Sequence, residues 1–185
     1  MKVNFEHGCL ELLRGDICQE KVDAIVNAAN AALAGGGGVD GAIHAAAGPT
    51  LMEECRLLGG CPTGETVATG AGRLAAKWVF HTVGPIWQGG DSGESKLLAS
   101  CYQTALALAG QLGAESIAFP SVATGVYRFP LAAAAAIALG VITRHLKTNS
   151  PPFRIRMVLF DPTTLAAYQN ALGQFLDPGQ AIVIN

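Results

Sequence analysis

The feature that most limits the architecture is DAIVNAA, Asp23 to Ala29. It is a short apolar run bounded by polar residues, and it reads as a buried strand. Four consecutive glycines, Gly35 to Gly38, follow, and then a helix is expected from about Asp40 to Leu58. A buried strand that empties into a glycine loop and a helix is one half of a strand-helix alternation. The rest of the chain continues that alternation.

CLELL (Cys9 to Leu13) alternates in polarity like an edge or half-buried strand, with Gly15-Asp16 as a turn after it. TVATGA (Thr66 to Ala71) and WVFHTV (Trp78 to Val83) read as strands, followed by a helix from about Ser95 to Leu112. SIAFPS (Ser116 to Ser121) is the next strand, and Pro130 sits where a first helical turn tolerates proline, opening a helix to about Lys147. IRMVLF (Ile155 to Phe160) is the last clear strand and Pro162 to Leu176 the last helix. Strands alternating with helices imply an α/β/α layered domain around a largely parallel or mixed sheet. With no internal repeat and no linker, residues 1–185 are expected to form one domain, in which 177–185 is a tail or an extra edge strand.

The 185 residues are half hydrophobic and 14% charged, with a net charge of −2, so a globular chain is expected. The scattered Lys and Arg residues argue against a nucleic-acid surface built on a basic stripe. Five cysteines without a CxxC pair suggest reduced thiols in the cytoplasm. The four histidines show no metal-ligand spacing, and no metal or redox cofactor is implied. MKVNFEHG lacks the apolar core of a signal peptide, and the longest apolar run, Leu131 to Ile142, is too short for a bilayer.

Gly36, Gly38 and Gly41 match G-x-G-x-x-G literally, but the context is wrong for a dinucleotide fold. Asn30 to Gly35 intervene after the strand, and no acidic residue ends a strand about 20 residues later. A P-loop fails because no Gly-Lys-Ser/Thr follows. Bare amides at a helix N-terminus nevertheless make an anion site, most naturally for phosphate. SVATGVYRFP (Ser121 to Pro130) has a similar character, and two such loops beside each other suit a diphosphate.

GDI (Gly15 to Ile17), VDAIVNAAN (Val22 to Asn30), GGGGVDGAIHAAAGP (Gly35 to Pro49), HTVGPIW (His81 to Trp87) and SVATGVYRFP together resemble the macrodomain family. That family binds ADP-ribose, and the resemblance runs through nearly the whole chain in the family's order. It implies a three-layer α/β/α sandwich with a central mixed β-sheet. The spacing of Asn27, Asn30 and Asp40, with His44 after them, resembles the hydrolytic branch. That branch deacetylates O-acetyl-ADP-ribose and removes mono-ADP-ribose from acidic side chains.

The resemblance also implies roles. Asp16 would accept a hydrogen bond from the adenine amine, with Ile17 giving an amide and an apolar wall; without the resemblance, Asp16 reads first as an ordinary turn aspartate after Gly15. Phe160 would stack on adenine or else belong to the core. Asn30 would hold the distal ribose hydroxyls, and Asn27, placed with the ligand residues, looks more like a support for the loop; both could simply bond to backbone. Gly37, Gly38 and Val39 would offer amides to the distal phosphate and ribose. Ser121, Thr124, Gly125, Val126 and Tyr127 would grip the diphosphate. Asn30, Asp40 and His44 form the expected catalytic set, with His44 one helical turn from Asp40. The family's usual basic residue after GAIH is Ala45 here, and its glycine-aromatic-proline is Arg128-Phe129-Pro130.

The expected function is therefore hydrolysis of an ester at the distal ribose of ADP-ribose. Expected partners are ADP-ribose, O-acetyl-ADP-ribose and mono-ADP-ribosylated proteins, with no membrane and no nucleic acid. The alternative is a non-catalytic reader of ADP-ribose.

Overall fold

A computed structural model of the chain describes residues 1–148, 150–176 and 180–183. Its strands are β1 (Lys2–Phe5), β2 (Gly8–Arg14), β3 (Ala24–Ala29), β4 (Thr66–Gly70), β5 (Trp78–Val83), β6 (Ser116–Phe119), β7 (Arg154–Leu159) and β8 (Ile182–Val183). The helices are α1 (Gly38–Ala47), α2 (Pro49–Leu58), α3 (Glu94–Gln111), α4 (Leu131–His145) and α5 (Pro162–Leu172). The strands form one sheet in the order β4-β5-β3-β6-β7-β2-β1-β8. The five from β5 to β2 run parallel, while β4 and the outer pair β1 and β8 are antiparallel to their neighbours.

The apolar run of β3 is explained by layers on both faces. Ala24 and Val26 pack with Leu98, Tyr102, Ala138 and Leu139 of α3 and α4. Ile25 turns the other way, against Ile43, Ala47 and Leu51 of α1 and α2. The result is the three-layer α/β/α sandwich with a mixed sheet. Alanines let α4 lie close: Ala134, Ala135 and Ala138 are fully buried. Among the described residues no helix is long and apolar enough to cross a membrane.

Several boundaries depart from the sequence expectations. The helix expected over Asp40 to Leu58 is two helices broken at Gly48-Pro49. Gly48 has φ 88°, in the left-handed region that disfavours any Cβ, and Pro49 starts α2 where a missing N–H costs nothing. β2 is half-buried, with Leu10 and Leu12 inside, and is not an edge, because β1, unforeseen, pairs along its other side. The last helix ends at Leu172 and passes into a 3-10 turn, Gly173–Phe175. Within 177–185, Ile182 and Val183 pair with Val3 and Lys2. Residues 177–179, 184 and 185 lie outside the described residues.

Candidate active site

The parallel strands all end on one side, where ligand sites of α/β sheets are found. A cavity of about 640 Å³ opens there, walled by the segments that leave β2, β3, β6 and β7. Asp16 and Ile17 line one end with Phe160. Asn30, Gly37, Gly38, Val39 and Asp40 line the other with Gly36. Between them lie Ser121, Thr124, Gly125, Val126 and Tyr127. Gly84 and Ala123, inside the HTVGPIW and SVATGVYRFP motifs but given no role there, also face the cavity, as do Asp161 and Thr164 at the start of α5.

At the β2 end, Asp16 is exposed and caps the short 3-10 turn Ile17–Gln19: its Oδ1 accepts from the Cys18 N–H at 2.9 Å. Burial, then the Asp16 charge, pushes the Cys18 thiol up to about 11, so it stays protonated. Phe160 follows β7 and is 81% exposed, so it is rim and not core. Asp161 caps α5 by accepting from the Thr164 N–H at 2.9 Å.

The loop from Ser121 to Pro130 is rooted in the core through hydroxyls. Thr124 Oγ1 donates to Ser121 Oγ at 2.9 Å, and Ser121 Oγ lies 3.0 Å from the buried Tyr168 hydroxyl. The Val122 N–H donates to Tyr102 Oη. Ala123 (φ 65°) and Arg128 (φ 57°) hold left-handed conformations without being glycine, each a cost of about 1 kcal/mol or more.

At the β3 end the glycine loop is held from beneath. Asn30 Nδ2 donates to the Gly35 carbonyl at 2.8 Å, and its Oδ1 accepts from the Ala34 N–H at 3.2 Å. Asn30 thus bonds to backbone and still faces the cavity with one N–H to spare. Asp40 stands in the first turn of α1, where the helix dipole favours an acid. It is buried, yet it lines the cavity. A Cβ on Gly36 would sit 3.0 Å from Asp40 Oδ2, a tight contact that the carboxylate would have to yield to.

Two expected ligand or catalytic residues are not on the cavity wall. Asn27 is fully buried, because its odd-numbered side chain turns inward under α1; it donates to Asp40 Oδ1 at 2.6 Å. It supports the carboxylate and does not contact the ligand space. His44 lies one turn further along α1, with Nε2 3.4 Å from the same oxygen. It too stands behind Asp40, not in the cavity.

His81 completes this arrangement and had no role in the sequence reading beyond its place in HTVGPIW. It is fully buried on β5, with Nδ1 3.2 Å from Asn27 Nδ2 and Nε2 2.9 Å from Thr69 Oγ1. Burial, then the neighbouring His44, pushes its pKa down to about 4, so the ring is neutral near pH 7. Contrary to the spacing argument, two histidines and a cysteine do converge: ligand atoms of His44, Cys55 and His81 lie within 4.8 Å of one another. Both His81 nitrogens are already engaged, and burial raises the Cys55 thiol pKa, so the set acts as a hydrogen-bond network.

The Macro domain family profile matches residues 26–138, from β3 into α4. The chain is 52% identical over 169 residues to a Citrobacter rodentium protein named O-acetyl-ADP-ribose deacetylase, covering 89% of this chain and 96% of that one. Its fold resembles the Oceanobacillus iheyensis macrodomain solved with ADP, at 42% identity and a TM-score of 0.90, over 94% of this chain and 95% of that one. It also resembles a Trypanosoma brucei macrodomain solved with ADP-ribose, at 41% identity and a TM-score of 0.84, over 89% and 69%. Fold, motif order and near-half identity over almost the full length agree, and the chain belongs to the macrodomain family.

Proposed function

We propose that this chain binds ADP-ribose in the cavity and hydrolyses an ester at its distal ribose. The substrates are O-acetyl-ADP-ribose and mono-ADP-ribosyl esters of acidic side chains. The observation that carries this reading is the division of labour within one carboxylate. Asp40 Oδ1 is held by Asn27 and His44, whereas Oδ2 meets the glycine loop beside Asn30 at the cavity wall. A pure binding site for a diphosphate has no use for a fixed anion there, since like charges repel.

In this reading the diphosphate lies between the amides of Gly37 to Val39 and those of the loop from Ser121 to Tyr127. Adenine lies between Phe160 and Ile17, with Asp16 accepting from its amine. Asn30 bonds the distal ribose through its remaining N–H and carbonyl lone pair. Asp40 Oδ2 orients a water toward the ester. The water oxygen bonds to the ester carbon, the bond to the ribose oxygen breaks, and ribose takes the proton as acetate or a glutamate side chain leaves. A phosphate oxygen of the substrate is the second group able to accept the water proton. Relatives named as deacetylases and neighbours solved with ADP or ADP-ribose support the assignment. The unpaired thiols fit a reducing, cytoplasmic setting.

The test is to incubate the protein with O-acetyl-ADP-ribose and with a mono-ADP-ribosylated glutamate peptide, and to measure ADP-ribose released. Release from either supports the reading. Tight binding of ADP-ribose with no release from both would make the protein a reader.

A further inference from the structure

Behind Asp40 lies an imidazole that the proposed reaction does not touch. Its neighbours fix its chemistry. One nitrogen of Asn27, Nδ2, meets two groups at once: Asp40 Oδ1 at 2.6 Å and His81 Nδ1 at 3.2 Å. Turning the amide over would aim its carbonyl at a carboxylate, a repulsive contact at that distance. Asn27 therefore donates one N–H to Asp40 and the other to His81. That assignment requires Nδ1 of His81 to be the unprotonated, accepting nitrogen. The proton then sits on Nε2, which donates to Thr69 Oγ1 at 2.9 Å. Asn27 Oδ1 is left buried with no hydrogen-bond partner among the described residues. A buried orphan acceptor is costly, and it is tolerated here because both hydrogens of the amide are in use.

We propose that His81 is a positioning residue: as its Nε2–H tautomer it locks the Asn27 amide, which holds Asp40 Oδ1 and leaves Oδ2 facing the cavity. The inference rests on the reading that Asp40 acts on the ester. The chain of contacts crosses the fold, from Thr69 on β4 through His81 on β5 and Asn27 on β3 to Asp40 on α1. No sequence spacing joins these four residues; the sheet order does. His44 approaches the same oxygen at 3.4 Å, a long contact that cannot replace the one from Asn27. Cys55 Sγ, at 3.7 Å from His81 Nε2, is a weak partner on the far side of the ring.

The experiment has two arms. Long-range proton–nitrogen spectra of uniformly labelled protein near neutral pH report the tautomer directly. The expected result is a protonated Nε2 and a bare Nδ1 on His81; the opposite tautomer overturns the proposal. In the second arm, His81→Leu should lower kcat about ten-fold while ADP-ribose affinity stays within about two-fold. His81→Asn, which returns an acceptor to the place of Nδ1, should recover most of the rate. A parallel loss of affinity and kcat, or no recovery with asparagine, overturns it. If His81→Leu does not fold, Thr69→Val, which strips the Nε2–H of its acceptor, should show the same split at smaller size, and an intact kcat there counts against the proposal. If the wild type hydrolyses neither ester, the functional reading falls alone, and the tautomer still decides whether His81 and Asn27 are arranged as described.

Discussion

The two loops that face each other across the cavity reach the same end by opposite means. Gly35 to Gly38 has bare backbone, and Gly35 (φ 74°) and Gly38 (φ 60°) occupy the left-handed region where glycine costs least. Its shape is set by Asn30, which bonds Ala34 and Gly35 of the same loop, and at its exit by Asp40 of α1, which Asn27 of β3 holds. The loop from Ser121 to Pro130 keeps side chains at two left-handed positions, Ala123 and Arg128. It is held partly from within, where buried Phe129 donates its N–H to the Ala123 carbonyl, and partly from the core, where Ser121 bonds to Tyr168 of α5. A glycine loop gains access for a ligand and needs external support. A strained loop must be rooted deeply enough to offset the strain, here by Tyr102 of α3 and Tyr168 of α5.

If the support under the glycine loop serves chemistry, the largest effect should come from its charged member. Asp40→Ala should lower ester turnover by about 10²–10⁴-fold, the usual worth of a positioned acid-base group, while ADP-ribose affinity holds or rises slightly. Calorimetry with ADP-ribose and a release assay on the same preparations separate the two quantities. Nearly full turnover would move the chemistry to the substrate phosphate and Asn30. No corresponding single substitution in the Ser121–Pro130 loop should cost turnover of bound substrate on this scale.

The same support should show in stability as a function of pH. The His81 pKa is lowered to about 4 in the folded protein, from an ordinary value of 6.5. Below 6.5 the unfolded chain takes up a proton that the folded ring refuses. The stabilisation is therefore complete above about pH 6.5 and is lost as pH falls toward 4, by about 3 kcal/mol. His145, lowered by burial, contributes with the same sign. Asp23, lowered by its bond from Lys77, loses its own contribution only as pH falls through and below its ordinary 3.8. Urea unfolding at stepped pH should fall steadily across this window; a flat curve from 6.5 to 4.5 would mean that His81 titrates normally.

How much of this was legible in the chain follows from how local each feature is. β3, β5 and β7 stand out because short mostly apolar segments, broken by only one or two polar residues, mark themselves. The break at Gly48-Pro49 did not, because Ile43, Ala47, Leu51 and Cys55 are buried at four-residue spacing straight across it. Periodicity sees one helix where the backbone makes two. β1 buries only Val3, too little to register as a pattern. Phe160 could have been core or rim, and only its position one residue past β7 decides. Most residues facing the cavity sit in the motifs that carry the resemblance, whereas the wall from Val158 to Thr164 comes from outside them, with a role expected only of Phe160. Asn27 and His44 were assigned by the same motifs but face away, and His81 acquires a role only when β3, β4 and β5 lie side by side.

A smaller effect tests how the second loop is rooted. Tyr168→Phe removes the hydroxyl under Ser121 and keeps the ring. The bond to Ser121, worth about 1 kcal/mol, is the shorter of the hydroxyl's two contacts, Tyr102 Oη lying 3.5 Å away, so ADP-ribose affinity should fall about five-fold, with turnover of bound substrate unchanged. Loss of turnover at saturating substrate would show that the two loops are not independent, and the contrast between them would fail.

The smallest effect isolates the strain itself. Arg128 is exposed and sits at φ 57°, where the resemblance leads one to expect glycine. A non-glycine residue there costs about 1–2 kcal/mol, and glycine returns part of that gain through the entropy of the unfolded chain. Arg128→Gly should therefore raise stability by about 0.5–1 kcal/mol, or about 1–4 °C in Tm. Arg128→Ala is the control, since it removes the charge and keeps the strain; its Tm should not move. The pair also weighs the charge against the backbone. If ADP-ribose affinity falls equally in both variants, the guanidinium contributes to the diphosphate and the strain is offset by binding. If affinity is unchanged in both, the left-handed arginine is a cost without a ligand-side return. A drop in Tm for Arg128→Gly would show that this loop draws rigidity from the side chain, and that it too depends on more than its anchors.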